Sequence, residues 1–148
     1  MKYHDDFSVG QVIELGSYPV SAEEIIAFAR EFDPQDFHLS EEAGRASLLG
    51  GLSASGWHVS SILMNLIATG WLNHTHSMGS NHIQEMKWLK PVLAGDVVTG
   101  RVTILEKRIS KSRPELGIFT SVFHLAGSQG ELKTEMRAIT FMRVKPAC

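Results

Sequence analysis

The chain has 148 residues, 43% hydrophobic and 20% charged, the balance of one folded domain rather than a disordered segment. Lys and Arg number 14 against 16 Asp and Glu, a formal net charge of −2, so composition builds in no basic face for nucleic acid. The one cysteine, Cys148, excludes a disulfide framework or a cysteine zinc site within the chain. The start, Met1-Lys2-Tyr3-His4-Asp5-Asp6, has no apolar run and two acids. It reads as neither a signal nor a transit peptide, and a cytoplasmic protein is expected.

An extended stretch over 12–20 leads into a helix. Ser21 is followed three residues later by Glu24, the capping-box spacing, and Ala22, Ile25, Ile26, Ala29 and Phe32 recur with helical period on one face. Asp33-Pro34 ends it, because a residue before proline avoids the helical region. Residues 40–46 read as a short helical turn and 48–52, with Gly50-Gly51, as a tight or mobile loop. A second helix is expected over 56–69. No Asp, Glu, Lys or Arg occurs between Ala46 and Gly70, so this helix is expected to be enclosed on most sides. Ser60, Ser61 and Asn65 interrupt its apolar run, which makes it a buried helix rather than a membrane span. The remainder reads as strands over 81–89, 97–107, 118–125 and 135–145, with a turn at 91–96 and a hairpin loop at Gly127-Ser128-Gln129-Gly130. One long helix and a run of antiparallel strands give an α+β fold, a sheet curled around a central helix.

Two constellations carry chemistry. In Asp33-Pro34-Gln35-Asp36-Phe37-His38 a carboxylate and an imidazole stand five residues apart just past a helix end, where a turn can set them side by side for proton transfer. Solvated side chains in a turn are the alternative. In Ser53-Ala54-Ser55-Gly56-Trp57-His58 the helix start offers free N–H groups to an anion or polarised carbonyl, and Gly56 allows close approach. Capping by Ser53 or Ser55 is the alternative there.

These two blocks, with the later Gln84-Glu85-Met86-Lys87-Trp88-Leu89-Lys90-Pro91-Val92 and Gly95-Asp96, resemble the MaoC-like hydratase/dehydratases, hot-dog proteins related to the (R)-specific enoyl-CoA hydratases. The resemblance spans about residues 7–144 and implies a single hot-dog domain over 1–148. It implies that Asp33 and His38 activate water for addition to a trans-2-enoyl thioester, with Gly56 N–H binding the thioester oxygen. Gln35, Ser55, Trp57, and Ser60 or Ser61 would contact substrate. The family motif, Asp-x-Asn-Pro-x-His, has Gln35 here for Asn and Asp36 for Pro. Asp36 could raise the pKa of a neighbouring acid or point to water. The chemistry implied needs no cofactor and no metal, coenzyme A entering as part of the substrate, although an acyl carrier protein could bear the same acyl group.

His74-Thr75-His76 lacks a metal-ligand pattern and reads as a surface loop. His58 reads as a hydrogen-bonded packing residue, and Trp57, Trp71 and Trp88 as core or interface. Lys107, Arg108, Lys111 and Arg113 cluster across a turn, either to meet coenzyme A phosphates or as a solvated hairpin tip. A free sheet edge leads to the expectation of a homodimer or a multiple of dimers, with no nucleic-acid or membrane partner. A hot-dog thioesterase is the rival reading. Its usual Asp or Glu on the central helix is absent from residues 56–72. A non-catalytic acyl-thioester-binding subunit is the other.

Overall fold

The computed structural model describes residues 1–148. Strand β1 (Val12–Pro19) is followed by helix α1 (Ala22–Phe32), a short helix α2 (Glu41–Arg45) and the long helix α3 (Gly56–Gly70). Strands β2 (Ser77–Gly79), β3 (Ile83–Trp88), β4 (Val97–Ile109), β5 (Leu116–Ala126) and β6 (Leu132–Arg143) complete the chain. The sheet runs β1-β4-β5-β6-β2, with β3 pairing farther along the same edge of β6 as β2, and every strand pair is antiparallel. It curls around α3, which makes this an α+β hot-dog fold.

Alternation places the core. Val98, Val102 and Ile104 of β4, Phe119, Phe123 and Leu125 of β5, and Met136, Ala138 and Met142 of β6 face inward. They meet Val59, Ile62, Leu63, Leu66 and Ile67 of α3 in one continuous cluster. Two glycines let α3 approach the sheet. A Cβ on Gly70 would lie 2.4 Å from the Leu15 carbonyl oxygen, and one on Gly100 would lie 3.2 Å from Leu66 Cδ1. At the end of α3 Trp71 is 2% exposed and packs among Phe7, Phe119 and Phe123.

Several expectations are modified. Ser21 caps α1, accepting from Glu24 N–H at 3.2 Å, but the Glu24 carboxylate accepts a hydrogen bond from the Tyr18 hydroxyl and faces His58 Nε2 at 3.3 Å rather than closing a capping box. Phe32 is 64% exposed, resting on Phe28, because α1 turns its last residue past the edge of the core. The central helix is not enclosed by its own chain. Trp57, Ser61 and Met64, at helical spacing, face outward. The loop over 48–52 is tight, with Gly50 at φ +78° and Gly51 packed under Gly44. The strand Ser77–Gly79 has three residues, too few to carry a readable alternation.

Phe119 is fully buried against His4, Phe7 and Trp71. Phe119→Ala is expected to lower unfolding stability by about 3–5 kcal/mol, read from the shift in a urea unfolding midpoint at unchanged slope.

Candidate active site

Asp33 follows the last residue of α1. Its N–H continues the helix to Ala29 O at 2.9 Å, and Pro34 prevents another turn. The chain then folds back through a single 3-10 turn, Asp36–His38, that swings His38 beneath the start of α3. His38 is 5% exposed. Its Nδ1 lies 2.6 Å from the Ser53 carbonyl oxygen. A carbonyl only accepts, so Nδ1 carries the hydrogen, and in the neutral ring Nε2 is a bare acceptor. Nε2 faces Asp33 Oδ2 at 3.4 Å, longer than a direct N–H···O bond. Gln35 Nε2 donates to Asp33 Oδ1 at 2.6 Å, so the Gln that replaces the motif's Asn holds the carboxylate.

Burial of Asp33 pushes its carboxyl upward, but the Ser55 hydroxyl, the Gln35 amide and the charge available on His38 outweigh it and hold the pKa below the usual aspartate range. The Ser55 hydroxyl itself is fully buried and completes no hydrogen bond of good geometry, so its effect on Asp33 is one of proximity. Asp36 is exposed and is not among the groups acting on Asp33; of its two alternatives, pointing to water is the one seen.

The approach to α3 is pinned by a bridge between Ser53 and Leu93, with Ala54 N–H on Val92 O at 2.8 Å and Ala94 N–H on Leu52 O at 2.9 Å. Neither Ser53 nor Ser55 caps the helix, so capping is not their role. Val59 N–H makes the first intrahelical bond, to Ser55 O, leaving Gly56, Trp57 and His58 N–H without backbone partners. A Cβ on Gly56 would lie 2.8 Å from the Trp88 indole, so glycine is what the packing permits. His38, Gly56, Ser53, Val92, Thr134 and Trp88 line one cavity of about 410 Å³.

The other expected site residues divide. Ser60 accepts from Trp88 Nε1 at 3.1 Å and donates to Gly56 O at 3.0 Å. Trp57 and Ser61 line a separate, larger cavity of about 470 Å³ between α3 and the β3/β6 part of the sheet. The basic hairpin does not reach the site within the chain. Lys107 Nζ is bound to His4 O and Phe7 O, Arg113 pairs with Glu115 at 3.0 Å, and Arg108 and Lys111 share that hairpin. Phe7 packs on Trp71 at the far end of α3, about 21 Å along the axis from Gly56 for 15 residues. The cation that lines the His38 cavity is Lys90, which has no sequence signal apart from its place in the block after Trp88. The Ser53 carbonyl was equally invisible, since a backbone oxygen belongs to any residue type.

His58 packs as expected. It is 3% exposed, stacked on Phe28 at 4.7 Å and held by Glu24, which also keeps the Tyr18 phenol above its ordinary pKa through their hydrogen bond. This cluster ties α1 to α3. In the segment 74–76, His74 is bonded to Thr69 O, His76 stacks on Tyr3 and Thr75 is buried. No helix is long and apolar enough to cross a membrane.

A hot-dog sheet with an acid–histidine pair at the uncapped start of its central helix defines a class of small hot-dog proteins with the site at that helix end. The family model described as the MaoC like domain matches residues 6–121, and the chain belongs to that family. It is 34% identical over 116 residues to the uncharacterised protein YdeM of Bacillus subtilis, covering 78% of this chain and 81% of that one. Among solved structures, the MaoC-like dehydratase from Rhodospirillum rubrum superposes with a TM-score of 0.91 and 37% identity, over 99% of this chain and 100% of that one. The R-hydratase PhaJ1 from Pseudomonas aeruginosa superposes with a TM-score of 0.72 over 99% and 92%. At 16% identity that likeness is one of fold.

Because the native Asp33 carboxyl is held below its usual range, the stability it contributes is present above the unfolded-state pKa and lost as pH falls through the lowered native one. Asp33→Asn is therefore expected to be less stable than the parent at about pH 6, with the gap closing below about pH 4. Urea unfolding across that range measures it; a gap that widens toward acid contradicts the assignment.

Proposed function

We propose that the chain is an enoyl-thioester hydratase, acting in reverse as a 3-hydroxyacyl-thioester dehydratase, a hydro-lyase of fatty acyl metabolism. The observation that carries this reading is the pair of acceptors, His38 Nε2 and Asp33 Oδ2, 3.4 Å apart with Nδ1 already committed to Ser53. Two facing acceptors without a hydrogen between them need a donor of two hydrogens, and one water supplies both. Family membership supports the same reading, as does the name of the Rhodospirillum rubrum relative.

The water oxygen then attacks C3 of a trans-2-enoyl thioester. Nε2 accepts the proton, forming an imidazolium that the adjacent Asp33 carboxylate stabilises. The C2–C3 double bond shifts toward the thioester carbonyl, whose developing charge is met by the free N–H of Gly56 at the helix start. Collapse of that enolate takes the proton from Nε2 to C2. The proton removed from water is the one delivered, so atoms balance with no cofactor, and dehydration runs the steps backward. Gln35 orients Asp33 by its hydrogen bond, and Gln35 and Ser55 together favour its ionised form. Lys90 at the cavity supplies a positive charge for the phosphates of coenzyme A or of an acyl carrier arm.

The site functions in a homodimer. Strand β3 pairs only with β6, leaving its other edge free, and Ile83, Trp88 and, on α3, Trp57 and Met64 are exposed apolar groups beside it. A twofold contact along β3 covers both and extends the sheet.

With crotonyl-CoA, loss of the enoyl-thioester absorbance without release of thiol is expected. Thiol release instead would establish the thioesterase, and neither signal on a panel of enoyl thioesters would establish a binding subunit. His38→Ala and Asp33→Asn are each expected to lower kcat/KM by roughly 10²–10⁴-fold in folded protein. Ile83→Arg is expected to shift the protein from dimer toward monomer in sedimentation equilibrium; a parent that sediments as a monomer contradicts the dimer.

A further inference from the structure

The site cavity and the larger cavity share no lining residue, although both border the first turns of α3. Trp88 stands between them. Its indole covers the Cα of Gly56 on the site side. Its Nε1–H is latched to Ser60 Oγ, and Ser60 lines the other cavity. Trp57 meets it edge to face at 5.3 Å and 76°, also from the far side. The partition is therefore one aromatic side chain held by one hydrogen bond. Within the single chain the indole is 45% exposed, and the dimer contact along β3 closes its outer side.

The chemistry of the space behind it is distinct. Ten of its fifteen lining residues are apolar, Met64, Ile67, Ile83, Met86, Met136 and Ala138 among them, and no charged residue lines it. Methionines give an adaptable apolar surface. A cavity of this kind takes an unbranched hydrocarbon and offers nothing to a phosphate or a carboxylate. Trp88 stands between this space and the Gly56 side of the site cavity.

We propose that Trp88 determines acyl-chain specificity: latched to Ser60, its indole closes the catalytic cavity against an apolar annex and confines the enzyme to short acyl groups. With the indole removed, the annex joins the site and accepts the tail of a medium or long straight chain. This rests on the hydratase reading for its substrate, but the partition itself can be tested by binding alone.

The experiment uses the full chain, with kcat/KM measured on crotonyl-CoA, trans-2-octenoyl-CoA and trans-2-dodecenoyl-CoA. The parent is expected to favour crotonyl-CoA. Trp88→Ala is expected to raise the dodecenoyl-to-crotonyl ratio by on the order of tenfold or more, chiefly through a lower KM for the long substrate, since added apolar contact acts mainly on binding. Ser60→Ala and Trp88→Phe, which remove the latch while keeping an aromatic partition, are expected to raise it several-fold. An unchanged ratio in all folded variants, or a parent that already prefers the dodecenoyl substrate, overturns the proposal. Should Trp88→Ala not fold, the two milder variants decide it. Calorimetric binding of dodecanoyl-CoA and butyryl-CoA gives a second reading that needs no turnover. Tighter dodecanoyl-CoA binding by the variants, in protein that hydrates nothing, would overturn the hydratase reading and keep the gate. Full turnover with no change in chain preference would overturn the gate and keep the hydratase.

Discussion

The hydrogen bond from His38 Nδ1 to the Ser53 carbonyl is the constraint on which the site depends. It fixes the ring's orientation and its tautomer together, and so decides that Nε2 presents a lone pair rather than a hydrogen to Asp33. A buried carbonyl left without that donor costs about 1–3 kcal/mol, so the ring is held firmly. The acceptor is itself held by backbone pairing. Ser53 bridges to Leu93, and the turn after it is braced by Leu93 N–H on the Asp96 carboxylate at 2.8 Å. The orientation of the ring is thereby referred to the backbone bridge between residues 52–54 and 92–94.

The two helices bring opposite electrical qualities to that point. α1 delivers Asp33 just beyond its C-terminal end, where the helix offers no help to a negative charge. Its ionisation is secured by Gln35 and Ser55 instead. α3 delivers its positive N-terminal end with the first N–H groups unspent, and the absence of charge along the helix leaves that end uncompensated. The relation between the two helix ends is kept by Phe28 stacked on His58 and by Glu24 reaching both His58 and Tyr18. That cluster ties β1 to both helices beside the site.

What the sequence disclosed follows from how local each signal is. The start of α1 at Ser21, its end at Asp33-Pro34, the start of α3 at Gly56 and the Asp33/His38 pair are short-range patterns, and all lie where the spacing put them. The strands beyond residue 80 were legible from alternation to within a few residues. Long-range choices were not legible. Glu24 had the spacing of a capping partner, but tertiary packing offered it a phenol and an imidazole. The basic cluster from Lys107 to Arg113 had the right charge for phosphates, yet the fold sends that hairpin to the opposite end of α3, where Lys107 caps carbonyls. The lack of charge on α3 suggested enclosure on most sides, because composition does not say which neighbour excludes the water. Trp57 and Met64 remain open in the single chain.

The most direct measurement is of the His38 imidazole by long-range ¹⁵N–¹H correlation in the folded protein, at a pH where the ring is neutral. The expected result is the tautomer with hydrogen on Nδ1 and a bare Nε2, unchanged in form when Asp33 is replaced by Asn. Hydrogen on Nε2 would contradict it, since that nitrogen could not then accept a proton from water.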